Sequence, residues 1–444
     1  MSKEIDFLLA YPRPTQDSPA MLTPLSVMLP AQMLLDAGFH VKTWDQRFDP
    51  FEQFDQLVSE SKTLGVSAFT GHQAGEAAAL LKRAKGVNPK IITGVGGWHA
   101  RVCPEEVSNE QDVDVVWPKT YGENLFPGDS SLQHHWTRTE PQYQTSRGCP
   151  HHCGFCAISS RWIPKDLKDV EKELGAIYEV RGNTQAISFT DPDIVSCTNG
   201  AFDQETKRKM RVERINELGK IMNKLGVKWD GNIRADHLAD PKLVEALAKS
   251  NCFSLEIGCE SGNEEYLKKV IRKGYLNGTG DILRAVENVA KLAPNISLMC
   301  SFVAFGPGET QSMRADTANL IDKIVSINPN ARVSVYHFAP YPGTRMYDMA
   351  IKGEGYPTFK PPRTMEEWGK ANFMQGPMYW ITGLNFREDN TRKNFPGEEY
   401  RLIQPYVELA KEKWRQRDFD DFPVREVALL VKNQLQKHIT PRTT

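Results

Sequence analysis

No stretch of the sequence approaches the roughly 18 consecutive apolar residues that a membrane-spanning helix requires. Nor is Met1 followed by the charged-then-apolar layout of an export signal. Charge of one sign is equally lacking, since 55 Lys and Arg stand against 56 Asp and Glu. A surface without a basic footprint disfavours tight nucleic-acid binding through phosphates. There is no internal repeat and no low-complexity tract. Cysteine is sparse, with 8 residues in 444, and Cys103 alone precedes Cys149. A disulfide framework would spread its cysteines and imply an oxidising compartment. These absences predict a cytoplasmic protein with no membrane span and no nucleic-acid partner.

The length suffices for two or three domains. In the first 125 residues, short apolar runs alternate with amphipathic stretches. Strands are predicted at Ile5–Tyr11, His40–Trp44, Leu64–Thr70, Lys90–Val95 and Val113–Trp117, and helices at Leu22–Ala37 and Ala74–Lys85. That alternation predicts an α/β fold with a doubly wound parallel sheet. Ligands of such sheets sit beyond the carboxyl ends of the strands, here at Tyr11-Pro12, Gly71-His72 and Gly96-Gly97-Trp98-His99. Residues 127–142 read as a linker, with Pro127-Gly128-Asp129-Ser130-Ser131 as a turn cluster. Six further strand and helix units follow. Their strands are expected at Tyr143–Ser146, Ala186–Thr190, Lys228–Arg234, Phe253–Cys259, Ser297–Phe305 and Arg332–Phe338. Such a series fits a partial (β/α)6 barrel over residues 143–347. Residues 348–444 form a mainly helical C-terminal region, with helices expected at Tyr400–Arg415 and Val424–Lys437. Its aromatic residues Trp368, Phe373, Tyr379 and Trp380 either line a substrate pocket or bury a helix against the barrel.

Cys149, Cys153 and Cys156 follow the first barrel strand at Cys-x3-Cys-x2-Cys spacing. Three thiolates on one tight loop can each hold one iron of a four-iron cluster, leaving the fourth iron open. The alternative is a structural zinc loop with His151 or His152 as the fourth ligand. Asp191 and Asp193 end the second strand, where carboxylates either bind substrate or ribose hydroxyls or cap the loop.

At the triplet, with Phe155 before the last cysteine, the sequence resembles the radical S-adenosylmethionine (SAM) superfamily. The resemblance implies a [4Fe-4S] cluster on Cys149, Cys153 and Cys156, with SAM chelating the open iron and yielding a 5′-deoxyadenosyl radical. Asn232-Ile233-Arg234-Ala235-Asp236 and Ile257-Gly258-Cys259-Glu260-Ser261-Gly262 resemble the family's third- and fourth-strand segments. They imply that Phe155, Arg234, Glu260 and Ser261 bind cofactor, although Arg234 and Glu260 could equally form a structural ion pair. Phe305-Gly306-Pro307-Gly308-Glu309-Thr310 and Pro340-Tyr341-Pro342-Gly343-Thr344 resemble the fifth- and sixth-strand ends. Asp191, Asp193 and Tyr341 stand as the candidate catalytic residues.

Gly96-Gly97-Trp98-His99-Ala100, with Pro104-Glu105-Glu106 and Asp112-Val113-Asp114-Val115-Val116, resembles the cobalamin-binding subgroup. Glycines there would let the corrin and its nucleotide tail approach the backbone. The resemblance implies that Tyr11, Pro12, His72, Gly96, Gly97 and Trp98 face cobalamin. The Asp-x-His-x-x-Gly signature of His-ligated enzymes is absent, and Trp117-Pro118 stands where the subgroup has a Gly-Glu-rich turn. The implied activity is a radical methyltransferase carrying a methyl group from methylcobalamin to an unactivated carbon, or phosphorus, of a small molecule. A flavodoxin or ferredoxin is the implied reductant. Oxidative cyclisation or rearrangement by the same cofactors is the alternative, and a non-catalytic iron–sulfur carrier is the alternative of another class. Methylthiolation of tRNA would require further cluster cysteines before the triplet, and only Cys103 is there.

Overall fold

The computed structural model describes residues 4–14, 22–118, 128–158, 160–182, 184–196, 202–275, 277–354, 360–371 and 379–380. Strand β1 (Ile5–Tyr11) carries apolar side chains toward both faces, as a central parallel strand must. With β2 (Val41–Asp45), β3 (Ser61–Ser67), β4 (Ile92–Gly96) and β5 (Val115–Val116) it forms a sheet in the order β2-β1-β3-β4-β5, every pair parallel. The chain steps from β1 to β2 on one side and to β3 on the other. A crevice therefore opens beyond the carboxyl ends of β1 and β3, where open α/β sheets bind ligands. Helix Leu25–Asp36 covers one face through Val27, Met28 and Ala31 against Leu9. Helices Phe51–Ser59 and His72–Val87 cover the other, burying Phe54, Ala77 and Leu81 with Leu8, Leu64 and Val66.

The expected linker is structured from Gly128 onward. A 3-10 turn at Ser130–Leu132 leads into helix Gln133–Arg138, which buries Trp136 in the core shared with Leu9 and Tyr143. Polarity misleads here because the segment buries few side chains, among them a very large one.

The second sheet contains β6 (Gln142–Tyr143), then β9 (Ala186–Phe189), β10 (Lys228–Ile233), β11 (Cys252–Glu260), β12 (Ser297–Ala304) and β13 (Arg332–His337). These six are parallel and adjacent in sequence order, the arrangement of a partial barrel. A hairpin of β7 (Ser146–Arg147) and β8 (Ile163–Pro164) interrupts the series between β6 and β9, and brackets the cysteine triplet. The intervening helices begin where short polar side chains cap them. Asp166, Asp203, Asp240 and Thr310 accept from Lys168, Thr206, Lys242 and Met313 N–H. Helix Gln204–Leu225 ends on left-handed Gly226.

The C-terminal region departs from expectation. Tyr379–Trp380 forms β14, antiparallel to β13. Trp368 does bury a helix, Met365–Ala371, but against the first domain rather than the barrel, beside Ala74 and Ala77. Phe373 and the helices expected at Tyr400–Arg415 and Val424–Lys437 lie outside the described residues. The crossing with helix His72–Val87 is tight, since a Cβ on Gly369 would lie 2.7 Å from Gly75 Cα. Replacing Gly369 with alanine is therefore expected to destabilise by about 1–3 kcal/mol, although alanine is the better helix former. An unchanged or raised melting temperature would show that the helices do not meet this closely.

Candidate functional site

The cysteine loop lies at the carboxyl end of the barrel. Gly148, at φ +72°, turns the chain out of β7, where a Cβ would run into Arg161 O. Ser160 N–H donates to Cys149 O at 2.9 Å and closes the loop's base. Its tip is held by Gly154, which donates to Ile271 O at 2.7 Å and accepts from Met346 N–H at 2.9 Å. Phe155 packs into the apolar cluster of Tyr266, Ile271, Phe338 and Met346. The aromatic residue before the last cysteine thus anchors the loop.

Burial raises all three thiols, Cys156 to about 11. At Cys153 the cations Lys273 and Arg234 act against that rise. Metal binding there must displace protons.

Asp191 and Asp193 part company. Asp191 is fully buried, and its carboxylate accepts from Thr145 N–H at 3.0 Å, Thr145 Oγ1 at 2.9 Å and Ser146 Oγ. Both oxygens are thus engaged with the strand end that launches the cysteine loop. Asp193, also fully buried, accepts from Ser196 Oγ at 2.5 Å through Oδ2. Its Oδ1 faces His237 Nδ1 at 3.5 Å, an ion pair when the imidazole is protonated, and neither atom has a closer hydrogen-bond partner; His151 Nε2 has none either. One ring nitrogen of each histidine and a carboxylate oxygen of Asp193 lie within 4.8 Å of one another. Burial alone would raise Asp193, but His237, Ser196 and Arg234 outweigh it and hold its carboxyl below the usual range. His151, from the cysteine loop, thus joins Asp193 and His237. A buried polar atom without a partner, as at His151 Nε2, marks a place that a polar ligand completes.

Arg234 and Glu260 do not pair with each other. Arg234 forms a bidentate pair with Asp236 at 2.9 and 3.1 Å, donates to Lys273 O at 2.8 Å and lies over the Tyr275 ring. Glu260 accepts from Lys273 Nζ at 2.6 Å, both side chains under a tenth exposed. Burial opposes the charge on Lys273, yet Glu260, Tyr275 and Cys153 together outweigh it and raise the group above the usual lysine value. Gly258 leaves room for this pair, and Glu260 itself adopts φ +65°. Ser261 accepts from Asn263 N–H at 3.2 Å at the end of β11. The sequence reading missed His237, Lys273 and Tyr275. His237 was findable as a third polar residue after Arg234 and Asp236. Lys273 and Tyr275 follow a short π-helix with no pattern to mark them.

Glu309 lies just beyond β12, where Phe305 N–H donates to it and Arg314 stands 3.9 Å away. Burial pushes its carboxyl up to about 7. The folded state therefore holds this proton more tightly than the unfolded chain does between about pH 4.5 and 7. Stability contributed by the group falls as pH rises through that window, by on the order of 3 kcal/mol. Glu309→Gln is expected to gain on the wild type at pH 8 relative to pH 5 in urea titrations. An equal difference at both pH values would place the proton elsewhere.

In the first domain, the predicted loops converge at the crevice. Gln73 Nε2 donates to Pro12 O at 2.8 Å, while its Oε1 accepts from Phe69 N–H at 2.9 Å, stitching the ends of β1 and β3. The Tyr11 ring lies under the Arg47 guanidinium. Gly97, at φ +91°, lets its backbone pass Ala68, whose O would lie 2.7 Å from a Cβ. Trp98 stacks with Arg101, and His72 begins its helix 3.7 Å from Glu76. His99, by contrast, is buried away from the crevice between Thr70 and Glu106, and Glu106 also accepts from Trp368 Nε1 at 3.0 Å. The two carboxyl edges meet. Phe69 packs edge-on against Tyr341 with centroids 6.1 Å apart, and Gly343 lies beside Val102.

Residues 143–321 match the family model of the Radical SAM superfamily and residues 17–128 that of the B12 binding domain. The chain is 26% identical over 292 residues to the bacteriochlorophyllide d C-12(1)-methyltransferase of Chlorobaculum tepidum, covering 57% of this chain and 59% of that protein. It thus spans less than two thirds of the length of that relative. Its fold is similar to the radical SAM methyltransferase TsrM of Kitasatospora setae, with TM-score 0.59, 14% identity and coverage of 83% and 85%. The cobalamin-dependent radical enzyme OxsB superposes with TM-score 0.64 at 16% identity, over 98% of this chain and 76% of that one.

Proposed function

We propose that this chain, which belongs by its two domains with the cobalamin-binding radical SAM proteins, is a methyltransferase. Its substrate would be a small molecule carrying an unactivated carbon, or phosphorus, as acceptor. The observation that carries this reading is the meeting of two carboxyl edges at Phe69 and Tyr341. One edge bears the cysteine loop and the other the glycine-lined crevice, so two bound cofactors would flank one substrate space. The matched TsrM protein has also been solved with tryptophan as substrate and a SAM analogue.

The residues fit the groups they would hold. Cys149, Cys153 and Cys156 would ligate a [4Fe-4S] cluster. The Asp193–His237 pair and the unpartnered Nε2 of His151 would receive the polar end of SAM, with Arg234, Glu260, Lys273 and Ser261 bordering it. Tyr11, Pro12, His72, Gly96, Gly97 and Trp98 would face cobalamin. When bound, the cluster with SAM supplies a carbon radical, and the corrin a methyl group. Asp191 would act on the loop that carries the cysteines and hold it against the barrel. Tyr341 would stand at the substrate seam, where its half-buried ring excludes water. A flavodoxin or ferredoxin would serve as electron donor. Among the described residues no helix is long and apolar enough to cross a membrane.

Anaerobic reconstitution followed by product counting tests the reading. Methylation consumes two SAM per turnover and gives S-adenosylhomocysteine alongside 5′-deoxyadenosine. Deoxyadenosine alone would favour oxidative cyclisation or rearrangement instead. A cluster that reduces without cleaving SAM would leave only an electron carrier.

A further inference from the structure

Gly65 of β3 and Gly94 of β4 are in register, side by side in the sheet. Neither adopts a left-handed backbone, so conformational freedom does not account for them. Glycine inside a strand weakens it, and it marks a place where something approaches the backbone closely. What approaches here is one side chain. A Cβ on Gly65 would lie 2.9 Å from Trp117 Cζ3, and one on Gly94 would lie 2.7 and 2.8 Å from Cη2 and Cζ3. The indole rests on the bare backbone of both strands, and no side chain at either position could coexist with it.

This floor belongs to the face that carries Leu9, whose Cδ2 is the other near neighbour of Gly65. Helix Leu25–Asp36 lies on that face toward β1 and β2, and Ser67 Oγ donates to its Ser26 Oγ at 2.8 Å. The helices that cover β3 and β4 pack on the opposite face. The slot runs to Gly96 and Gly97, where the loops proposed to face cobalamin gather. Trp117 itself is only half-buried, just beyond the two-residue edge strand β5, its backbone N–H donating to Val95 O at 2.8 Å. A short edge strand lets such a ring swing away at small cost in backbone pairing.

We infer that the Gly65–Gly94 floor is a slot one aromatic ring thick, that Trp117 plugs it in the cofactor-free protein, and that the flat base ending cobalamin's nucleotide tail displaces the indole on binding. The inference rests on the cobalamin reading above. One aromatic group replacing another keeps the floor covered, so the exchange loses little apolar burial. Trp117 is then a residue that competes with the cofactor and sets its affinity and rate of entry.

The test compares cobalamin with cobinamide, which has the corrin but lacks the nucleotide tail, binding to the full chain. Corrin absorbance and tryptophan fluorescence are the readouts, with Trp117→Phe isolating the signal of this residue. Trp117→Ala is expected to bind cobalamin about tenfold more tightly and cobinamide as the wild type does. In the unmutated chain, Trp117 emission is expected to shift with cobalamin and not with cobinamide. Gly94→Ala is expected to weaken cobalamin alone. Weaker cobalamin binding by Trp117→Ala would make the ring a stacking platform and overturn the plug. Corrin binding indifferent to residue 117 would overturn the plug while leaving the cobalamin reading intact. Binding of neither corrin by any variant would remove both.

Discussion

Replacing Cys153 with alanine is expected to abolish iron retention after anaerobic reconstitution, while corrin binding to the first domain stays at the wild-type level. The expectation follows from where the three cysteines stand. They share one short loop, pinned at its base by Ser160 and at its tip by Gly154. On that loop Cys153 feels both cations Lys273 and Arg234, which favour its thiolate. Two thiolates cannot hold three irons of a cube, so removing one should cost the cluster as a whole rather than a third of it. The visible iron–sulfur absorbance and the iron count should both fall to background, and SAM cleavage with them. The fold should survive, because the loop's anchors are backbone bonds and Phe155. A variant that keeps close to four irons per chain would show that another residue of the protein serves in place of Cys153. Loss of corrin binding as well would show that the two sites are not independent.

The second large effect concerns the buried pair beneath that loop. Lys273→Met is expected to destabilise the protein by about 3–5 kcal/mol, because it strands the Glu260 carboxylate away from water. Glu260→Gln is expected to cost a similar amount, since it strands the Lys273 ammonium. The double variant should be more stable than either single one. Removing both charges also removes the desolvation that each single variant leaves uncompensated. Urea unfolding of the four proteins measures this directly, and the coupling should exceed 1 kcal/mol. Additive losses would mean that water reaches the pair and that its charges are separately solvated. The pair also bears on chemistry, because Glu260 sits at φ +65° at the end of β11 and Lys273 reaches back toward Cys153. SAM binding should therefore weaken in both single variants even where they stay folded, which equilibrium dialysis can measure.

Most of the strands were legible because the signal is local. Ile5–Tyr11 and the strands from Ala186 to His337 are short apolar runs between polar helices, and their observed bounds differ from the expected ones by a residue or so at most ends. The cysteine loop was legible for the same reason, with all its chemistry in eight residues. What escaped was whatever depends on partners far apart in the chain. Glu260 and Arg234 looked like each other's counter-ions, yet each found its own, and Lys273 lies in a segment without periodicity. Asp191 and Asp193 are two residues apart and look interchangeable, but both lie past the end of β9, where strand alternation no longer orients them, and one turns to the strand that launches the cysteine loop and the other to His237. Trp368 reads as an aromatic that buries a helix, which it does. Nothing near it in sequence tells which domain receives it. His99 stands in the glycine-rich stretch that resembles a cofactor loop, yet its ring is turned inward to Thr70 and Glu106.

The docking of helix Met365–Ala371 on the first domain has a consequence for biosynthesis. The core around Leu8, Leu64 and Val66 includes Met365 and Trp368. On the ribosome, the strands of that domain are complete by Val116, some 250 residues before Trp368 emerges. At ordinary elongation rates that gap lasts roughly 10–50 s. Throughout it the nascent domain shows an uncovered apolar strip along helix His72–Val87. The domain made first is completed only after the six parallel strands of the barrel have been made, and its open face is a surface for a chaperone to guard until that helix arrives.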